Sequence, residues 1–248
     1  LRYQKLLRSG DLGLLSEEDS KHLIDYGLRN IVDFRSPSER DARPDRVPAQ
    51  VIYSPLPIVA SLDYENPADN LTVRKPSFGS LHSQISFFQN RPAQEGSCRM
   101  KIVYERFVTS QENQNVMSDF FRILLSNRSE KSSVLFHCSA GKDRTGYAAY
   151  LILSALGVPF ATILHDYAMI ADIHSASVQN TINKLRILGA NQSVFSNVLD
   201  RMVTRPEYLA RANQIITQEY GGIRAYLDAQ IHLSGQDLTG LQHTYLKE

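Results

Sequence analysis

Residues 137–146 read His-Cys-Ser-Ala-Gly-Lys-Asp-Arg-Thr-Gly, between a short apolar segment and a longer one. Residues 133–136 before this stretch are short, largely apolar and bounded by polar residues, as in a buried strand. Residues 147–156 after it are an apolar run typical of a buried helix, which Gly157 and Pro159 end. The pattern predicts a strand, a glycine-bearing loop and a helix. Because unpaired amides converge at a helix N-terminus, the loop is predicted to bind an oxyanion.

The two ends of this loop carry the groups needed for phosphoryl transfer. A free thiol ionises near pH ~8.5, and a helix N-terminus with a nearby cation favours the thiolate. Cys138 is therefore predicted to be a nucleophile. Arg144 offers a planar fork of donors that matches two phosphate oxygens, and Gly141 lets the backbone approach the anion. The Thr145 hydroxyl is placed to donate to the Cys138 sulfur. We predict a cysteinyl-phosphate intermediate that water then hydrolyses.

The loop also resembles a known signature, that of the cysteine-dependent protein tyrosine phosphatases: His-Cys, five residues, Arg, then Ser or Thr. More narrowly, it is similar to the atypical microbial tyrosine phosphatase family. Further similar segments are residues 8–12, 31–36 with Glu39, 43–45, 208–209 and 219–222. The resemblance covers most of the chain and weakens across residues 60–100. It implies hydrolysis of protein phosphotyrosine, with phosphoserine, phosphothreonine and phosphoinositides as further substrates, and no cofactor.

Within this resemblance, the phosphate-binding residues are the loop itself: Ser139, Ala140, Gly141, Lys142, Asp143, Arg144 and Thr145. Lys142 bears on the choice of substrate. Its ammonium, at the rim of the loop, can meet the second phosphate of a phosphoinositide. It can equally raise the local potential for phosphotyrosine, and one lysine does not decide between these two readings.

The general acid is the open assignment, because ester cleavage needs a proton for the leaving oxygen. Asp143 can donate from inside the loop, or can tether the loop through Arg35 or a backbone amide. Relatives place an acid shortly after a Leu-Pro segment; here the next acid is Asp63, which departs from their pattern. Asp33 is expected to support the loop from the neighbouring strand. His137 is expected to hold the surroundings of the cysteine by hydrogen bonding and not to act as a base.

The amino-acid composition limits the classes of protein to which the chain can belong. The 248 residues suffice for one large domain, and the net charge of +1 implies no general attraction to nucleic acid. The sequence has no apolar run near the roughly 20 residues of a membrane span. Neither the two cysteines nor the seven histidines have metal-binding spacing. We expect a monomer, soluble, and either cytoplasmic or exported by a microbe.

The fold prediction is an α/β sandwich of the cysteine-phosphatase type, formed as one domain over residues 1–248. A central, mostly parallel sheet is flanked by helices, and residues 159–248 are mostly helical. Separate helices are predicted over residues 160–169 and 177–188. Residues 58–100 read as an irregular insertion. In mycobacterial relatives this region supplies a mobile helical lid, whose apolar face here would be Leu81, Ile85, Phe87 and Phe88. The alternative is an ordered excursion packed on the body of the protein.

The sequence is consistent with two classes of function. One is an active cysteine-dependent phosphatase, and the other is a phosphate- or phosphopeptide-binding module without catalysis. The presence together of Cys138, Arg144 and Thr145 favours the enzyme, because a binding module has no use for the nucleophile.

Overall fold

A computed structural model describes residues 1–59 and 80–247. The strands of these residues are β1 (Leu6–Ser9), β2 (Leu28–Asp33), β3 (Ile52–Pro55) and β4 (Ser133–His137). The helices are α1 (Glu17–Asp25), α2 (Pro37–Ala42), α3 (Leu81–Phe88), α4 (Glu95–Thr109), α5 (Gln111–Ser126), α6 (Asp143–Ala155), α7 (Phe160–Ile187), α8 (Gln192–Met202), α9 (Pro206–Tyr220), α10 (Ile223–Ala229) and α11 (Gly235–Tyr245).

The sheet has the strand order β1-β4-β2-β3, and every pairing within it is parallel. Strand β4 lies inside the sheet, and all five of its residues are buried. Parallel strands end at the same edge, so the segments that follow β1, β2 and β4 meet there. This confirms the predicted α/β fold with a parallel sheet and places the residues after β4 at the centre of that edge.

The two faces of the sheet carry different side chains, because successive strand residues point to opposite sides. On one face Ile31 and Leu135 form an aliphatic cluster with Leu28, against which side chains of α1 pack. On the other face Phe136 meets Phe120 of α5 at a centroid distance of 5.5 Å. Burial on both faces explains the apolar run of β4, and the helices on either side shield it from water.

The described chain groups into two compact units. The first contains residues 1–59, 107–163 and 213–247, and therefore the whole sheet; the second contains residues 80–106 and 164–212. The single domain expected from the sequence remains a prediction. The helical C-terminal part is confirmed, since α7 to α11 occupy most of residues 160–245.

The second unit contains part of the segment that was predicted to be irregular. Residues 80–100 contain α3 and the start of α4, while residues 60–79, including Asp63, lie outside the described residues. Phe88 of α3 is buried with Val194 and Val198 of α8, and the other three predicted lid residues, Leu81, Ile85 and Phe87, pack against that cluster. The apolar face of α3 is thus used for packing within this unit. A lid remains a prediction.

Several boundaries differ from the sequence prediction for local reasons. The two helices predicted over residues 160–188 are one helix, α7, because residues 170–176 contain neither proline nor glycine to interrupt it. Helix α6 begins at Asp143, four residues earlier than predicted, so Arg144 and Thr145 belong to its first turn. Among the described residues, no helix is both long and apolar enough to cross a membrane.

Candidate active site

Cys138 is the first residue after β4 and lies at the carboxyl edge of the sheet. Its side chain is buried and its thiol is free. The loop it begins ends at Lys142, which occupies the N-cap position of α6. A lysine side chain has no oxygen that could accept a bond from the first-turn amides. The amides in the first turn of α6 can therefore bind an anion that enters the loop.

The loop is shaped by its contact with the end of β1. Gly141 has φ +67°, and a Cβ at this position would overlap the carbonyl oxygen of Ser9. Only glycine combines this backbone conformation with so close an approach. The Asp11 amide also donates to the Ser139 carbonyl at 3.2 Å. Ala140, between these two contacts, is exposed. The structure shows that Gly141 lets the chain at the end of β1 approach the loop; its predicted role, to let the backbone approach the anion, stays a prediction.

Arg144 is held in a fixed orientation by a carboxylate. Its Nη1 and Nη2 both donate to Glu39 at 2.7 Å, and Nη1 also donates to the Phe34 carbonyl at 3.2 Å. Nη2 is 3.3 Å from the hydroxyl of Ser139. Burial alone would lower the pKa of the Arg144 guanidinium, but the hydrogen bonds to Glu39 and the electrostatic attraction of Cys138, Glu39 and Asp143 outweigh it and raise the pKa. Glu39 thus binds Nη1 and Nη2 of the Arg144 guanidinium, which was predicted to bind phosphate. The third nitrogen, Nε, does not contact Glu39.

Glu39 is a site residue that sequence reasoning left without a role. It lies in α2, where Ser36 and Glu39 form a capping box, and its Oε1 accepts from Ser139 at 2.6 Å. Burial would raise the pKa of Glu39, but the hydrogen bonds and charge of Arg144 dominate and hold the pKa well below its usual value. The spacing Ser-x-x-Glu marks a helix start in the sequence. Nothing in that spacing indicates that the same carboxylate reaches Arg144.

Lys142 and Asp143 form an ion pair, with Nζ 3.1 Å from Oδ2. The lysine side chain is only 5% exposed, whereas that of Asp143 is 24% exposed. The Lys142 ammonium, predicted to lie at the rim of the loop, is thus largely buried beside Asp143, and its part in binding a substrate stays a prediction. Asp143, the first residue of α6, keeps some access to solvent and is the better placed of the two to meet a substrate atom.

Thr145 lies in the first turn of α6 and is fully buried. The expected hydrogen bond from its hydroxyl to the Cys138 sulfur is not formed. Among the described residues, none bonds to Oγ1 of Thr145. A buried hydroxyl without a partner costs free energy, so a group that bonded to it would be favoured.

Asp33 is fully buried at the end of β2 and is saturated with partners. Arg35 donates to both of its oxygens, with the Nη2 to Oδ2 distance at 2.8 Å, and the Tyr53 hydroxyl donates at 2.6 Å. Burial and the bond to Asp33 raise the pKa of Tyr53 above its usual value, which keeps the phenol protonated as the donor. Asp33 therefore has no access to a leaving group, and its place in a buried network beside β4 fits the supporting role expected of it.

His137 joins the same network from β4. Its Nδ1 is 3.2 Å from the Cys138 carbonyl, which fits the expected role of ordering the surroundings of the cysteine. Its Nε2 lies 3.2 Å from Oδ2 of Asp45, an electrostatic contact that falls short of a directed hydrogen bond. Burial would raise the pKa of Asp45, but His137 and the amide of Leu12 lower it.

The donor atoms of Asp33, Asp45 and His137 lie within 4.8 Å of one another, as in a metal site. Arg35, however, donates to Asp33 at 2.8 Å and to Asp45 at 2.5 Å. Because this guanidinium already occupies the carboxylate oxygens and would repel a second cation, the group fits an ion-pair network better than a metal centre.

Comparison with known proteins agrees with the class that this strand, loop and helix indicate, a cysteine-dependent phosphatase on an α/β scaffold. The sequence pattern of the tyrosine phosphatase family matches residues 1–247. The chain therefore belongs to the tyrosine phosphatase family and is an enzyme of that family.

Two of the individual relatives are similar over most of their length, and a third over about half. The chain is 29% identical over 243 aligned positions to the triple specificity protein phosphatase PtpB of Mycobacterium tuberculosis, covering 92% of this chain and 86% of that protein. It is 28% identical over 253 positions to a candidate tyrosine-protein phosphatase of Cupriavidus necator, covering 97% and 79%. A tyrosine-protein phosphatase of Nostoc commune is 28% identical over 169 positions, covering 66% and 48%.

Proposed function

We propose that the protein hydrolyses phosphate monoesters of protein tyrosine through a phosphate ester of Cys138. The observation that carries this proposal is the placement of Cys138 at the end of the central strand, next to the N-terminus of α6 and the oriented Arg144. A phosphoryl group bound by those amides would have the sulfur directly behind phosphorus. Positioning and charge stabilisation are the main contributions a protein makes to phosphoryl transfer.

The reaction has two balanced steps. In the first, the Cys138 thiolate forms an S–P bond as the P–O bond to the leaving group breaks, and the leaving oxygen takes a proton from an acid. In the second, a water oxygen attacks phosphorus, a proton of that water passes to the carboxylate of the same acid, the S–P bond breaks, and the thiolate and inorganic phosphate are released. The loop amides and Arg144 stabilise the negative charge on the equatorial oxygens in both steps.

Asp143 is the proposed acid. Its side chain begins α6 and is 24% exposed, while Asp33 is enclosed and fully bonded. Glu39 is excluded, because the lowered pKa of its carboxylate leaves it without a proton near neutral pH. Asp63 lies outside the described residues and remains the alternative acid.

Substrates beyond phosphotyrosine are the second part of the proposal. The name of the Mycobacterium tuberculosis relative includes a triple specificity, which supports testing phosphoserine, phosphothreonine and phosphoinositides. The burial of the Lys142 ammonium and its pairing with Asp143 argue against a dedicated second-phosphate contact. We therefore expect phosphotyrosine to be the preferred substrate.

The test uses both cysteines of the chain. Purified protein, with chelator and without added metal, should hydrolyse p-nitrophenyl phosphate and a phosphotyrosine peptide. Cys138→Ser should abolish turnover yet still bind inorganic phosphate, because the loop amides and Arg144 remain. Cys98→Ser, at the exposed cysteine, is the matched control and should remain active. Rapid acid quenching followed by mass spectrometry should locate phosphate on Cys138. Appreciable turnover by Cys138→Ser would contradict the covalent mechanism, and a wild type that binds phosphate without turnover would indicate a binding module.

A further inference from the structure

We propose that Arg8 is a positioning residue for the reaction: it holds two loop carbonyls away from the phosphate and so sets the direction of the amides that bind it. This inference rests on the proposed phosphatase function. Arg8 lies on β1, opposite Phe136 of β4, and its side chain reaches the end of the loop. Its Nε donates to the Gly141 carbonyl at 3.0 Å, and its Nη2 donates to the Lys142 carbonyl at 3.2 Å.

These bonds belong to a larger contact between the loop and the chain that follows Arg8. The Asp11 amide donates to the Ser139 carbonyl at 3.2 Å. The backbone of Ser9 lies so close to Gly141 that a side chain there would collide with it. Three carbonyls within four consecutive loop residues are therefore bound from one side, by the segment Arg8–Asp11.

Because the peptide unit is planar, the direction of each carbonyl fixes the direction of the amide that follows it. In a trans peptide the C=O of one residue and the N–H of the next point in opposite directions. Binding the carbonyls of Ser139, Gly141 and Lys142 on the side of β1 therefore directs the N–H groups of Ala140, Lys142 and Asp143 to the other side. Amides aligned in this way form the concave donor set that binds an anion.

The guanidinium is suited to this task because it offers donors in a rigid plane. One Arg8 side chain spans two successive carbonyls, which a single ammonium cannot do with the same geometry. The Lys142 carbonyl also accepts from the Gly146 amide at 2.9 Å as part of α6, so Arg8 acts where the loop becomes helix. A small error in loop geometry is costly, since a displacement of about 1 Å can reduce a rate on the order of 100-fold.

The experiment compares Arg8→Met, Arg8→Lys and the control Arg46→Ala in the full chain. Arg46 also donates to a backbone carbonyl, that of Leu15, but does not touch the loop. Three quantities are measured for each: the Kd for inorganic phosphate by calorimetry, kcat/KM on p-nitrophenyl phosphate, and the Tm. The amide chemical shifts of Ala140, Lys142 and Asp143 are followed by NMR. For Arg8→Met we expect phosphate affinity and kcat/KM to fall together, on the order of 10- to 100-fold, with shifts at those three amides.

The other variants separate orientation from charge and from stability. Arg8→Lys keeps the charge but not the fork, so it should lose a substantial part of the same affinity, and Arg46→Ala should bind phosphate like the wild type. Wild-type affinity in Arg8→Lys would show that charge alone matters and would overturn the proposal. So would a lower Tm with phosphate Kd within about twofold of wild type in both Arg8 variants. Should Arg8→Met fail to fold, Arg8→Lys decides by the same measurements. If the wild type binds phosphate but does not hydrolyse esters, the phosphatase proposal fails while the affinity series still tests Arg8.

Discussion

Replacing Glu39 by glutamine tests whether the orientation of Arg144 depends on one carboxylate. Glu39 accepts two bonds from Arg144 at 2.7 Å, one from Ser139 at 2.6 Å and one from the Ser36 amide at 2.9 Å. Glutamine has nearly the same shape but no charge, and its NH₂ group would face donors. The variant therefore removes the ion pair while leaving helix α2 intact.

The expected losses of stability and activity follow from these contacts of Glu39. A hydrogen bond to a charged group contributes about 1.5–3 kcal/mol, and the Glu39 side chain is 30% exposed, so solvent screens part of it. We expect a free energy of unfolding lower by about 2 kcal/mol, which for a chain of this size lowers the Tm by roughly 4–8 °C. Because Arg144 would lose its fixed orientation, kcat/KM should fall on the order of 10- to 100-fold.

The pH dependence of the Tm provides a second, independent test of the role of the Glu39 carboxylate. The pKa of Glu39 is lowered in the folded protein, whereas in the unfolded chain it is near ~4.3. The carboxylate thus stabilises the fold above the unfolded pKa, and this contribution is lost as the pH falls below it. The Tm difference between wild type and Glu39→Gln should be full at pH 7 and should shrink below about pH 4.3.

The assay is thermal unfolding from pH 3 to pH 8, with steady-state kinetics near neutral pH. Glu18→Gln, at an exposed position in the first turn of α1, is the control; it should leave kcat/KM unchanged and lower the Tm less than Glu39→Gln does, because it loses only a favourable contact with the helix dipole. A Glu39→Gln protein with wild-type kcat/KM, or a Tm difference that does not vary with pH, would refute the argument that this carboxylate orients Arg144.

Three further predictions concern the loop and the first turn of α6. Arg144→Lys keeps the charge but loses the fork, so kcat/KM should drop by the equivalent of about 2–3 kcal/mol, and a near-native rate would show that the arginine is only structural. Asp143→Asn should slow phenyl phosphate much more than an ester with a low-pKa leaving group and should remove the alkaline limb of the pH–rate profile. Equal slowing of both esters would reassign Asp143 to structure. Lys142→Ala should slow phosphotyrosine and phosphoinositide turnover by similar factors at low and high salt, because its ammonium is buried; a selective, salt-sensitive loss of phosphoinositide turnover would contradict this.

Local features of the sequence predicted the local parts of the fold. The apolar run before Cys138 is the central strand, as predicted, and the Ser-x-x-Asp spacing at residues 16–19 marks the start of α1, where the Asp19 amide donates to Ser16 at 3.0 Å. Predictions failed where the local signal was ambiguous. Residues 170–176 lack strong breakers but are mixed in polarity, and they continue α7 instead of separating two helices. Short elements such as α2 and α10 carry too few residues to show a periodicity.

The sequence alone determined the strand, the glycine-bearing loop and the helix around Cys138, because chain connectivity brings those residues together whatever the rest of the molecule does. Contacts between distant parts of the chain were decided only by the tertiary structure. Glu39 meets Arg144 across 105 residues, and Arg8 meets Gly141 across 133. Such pairs arise from the parallel sheet, which brings the ends of β1, β2 and β4 to one edge. No local sequence pattern predicts which side chains meet at that edge of the sheet. Nor does one predict that the Lys142 side chain is buried against Asp143 and not exposed to solvent.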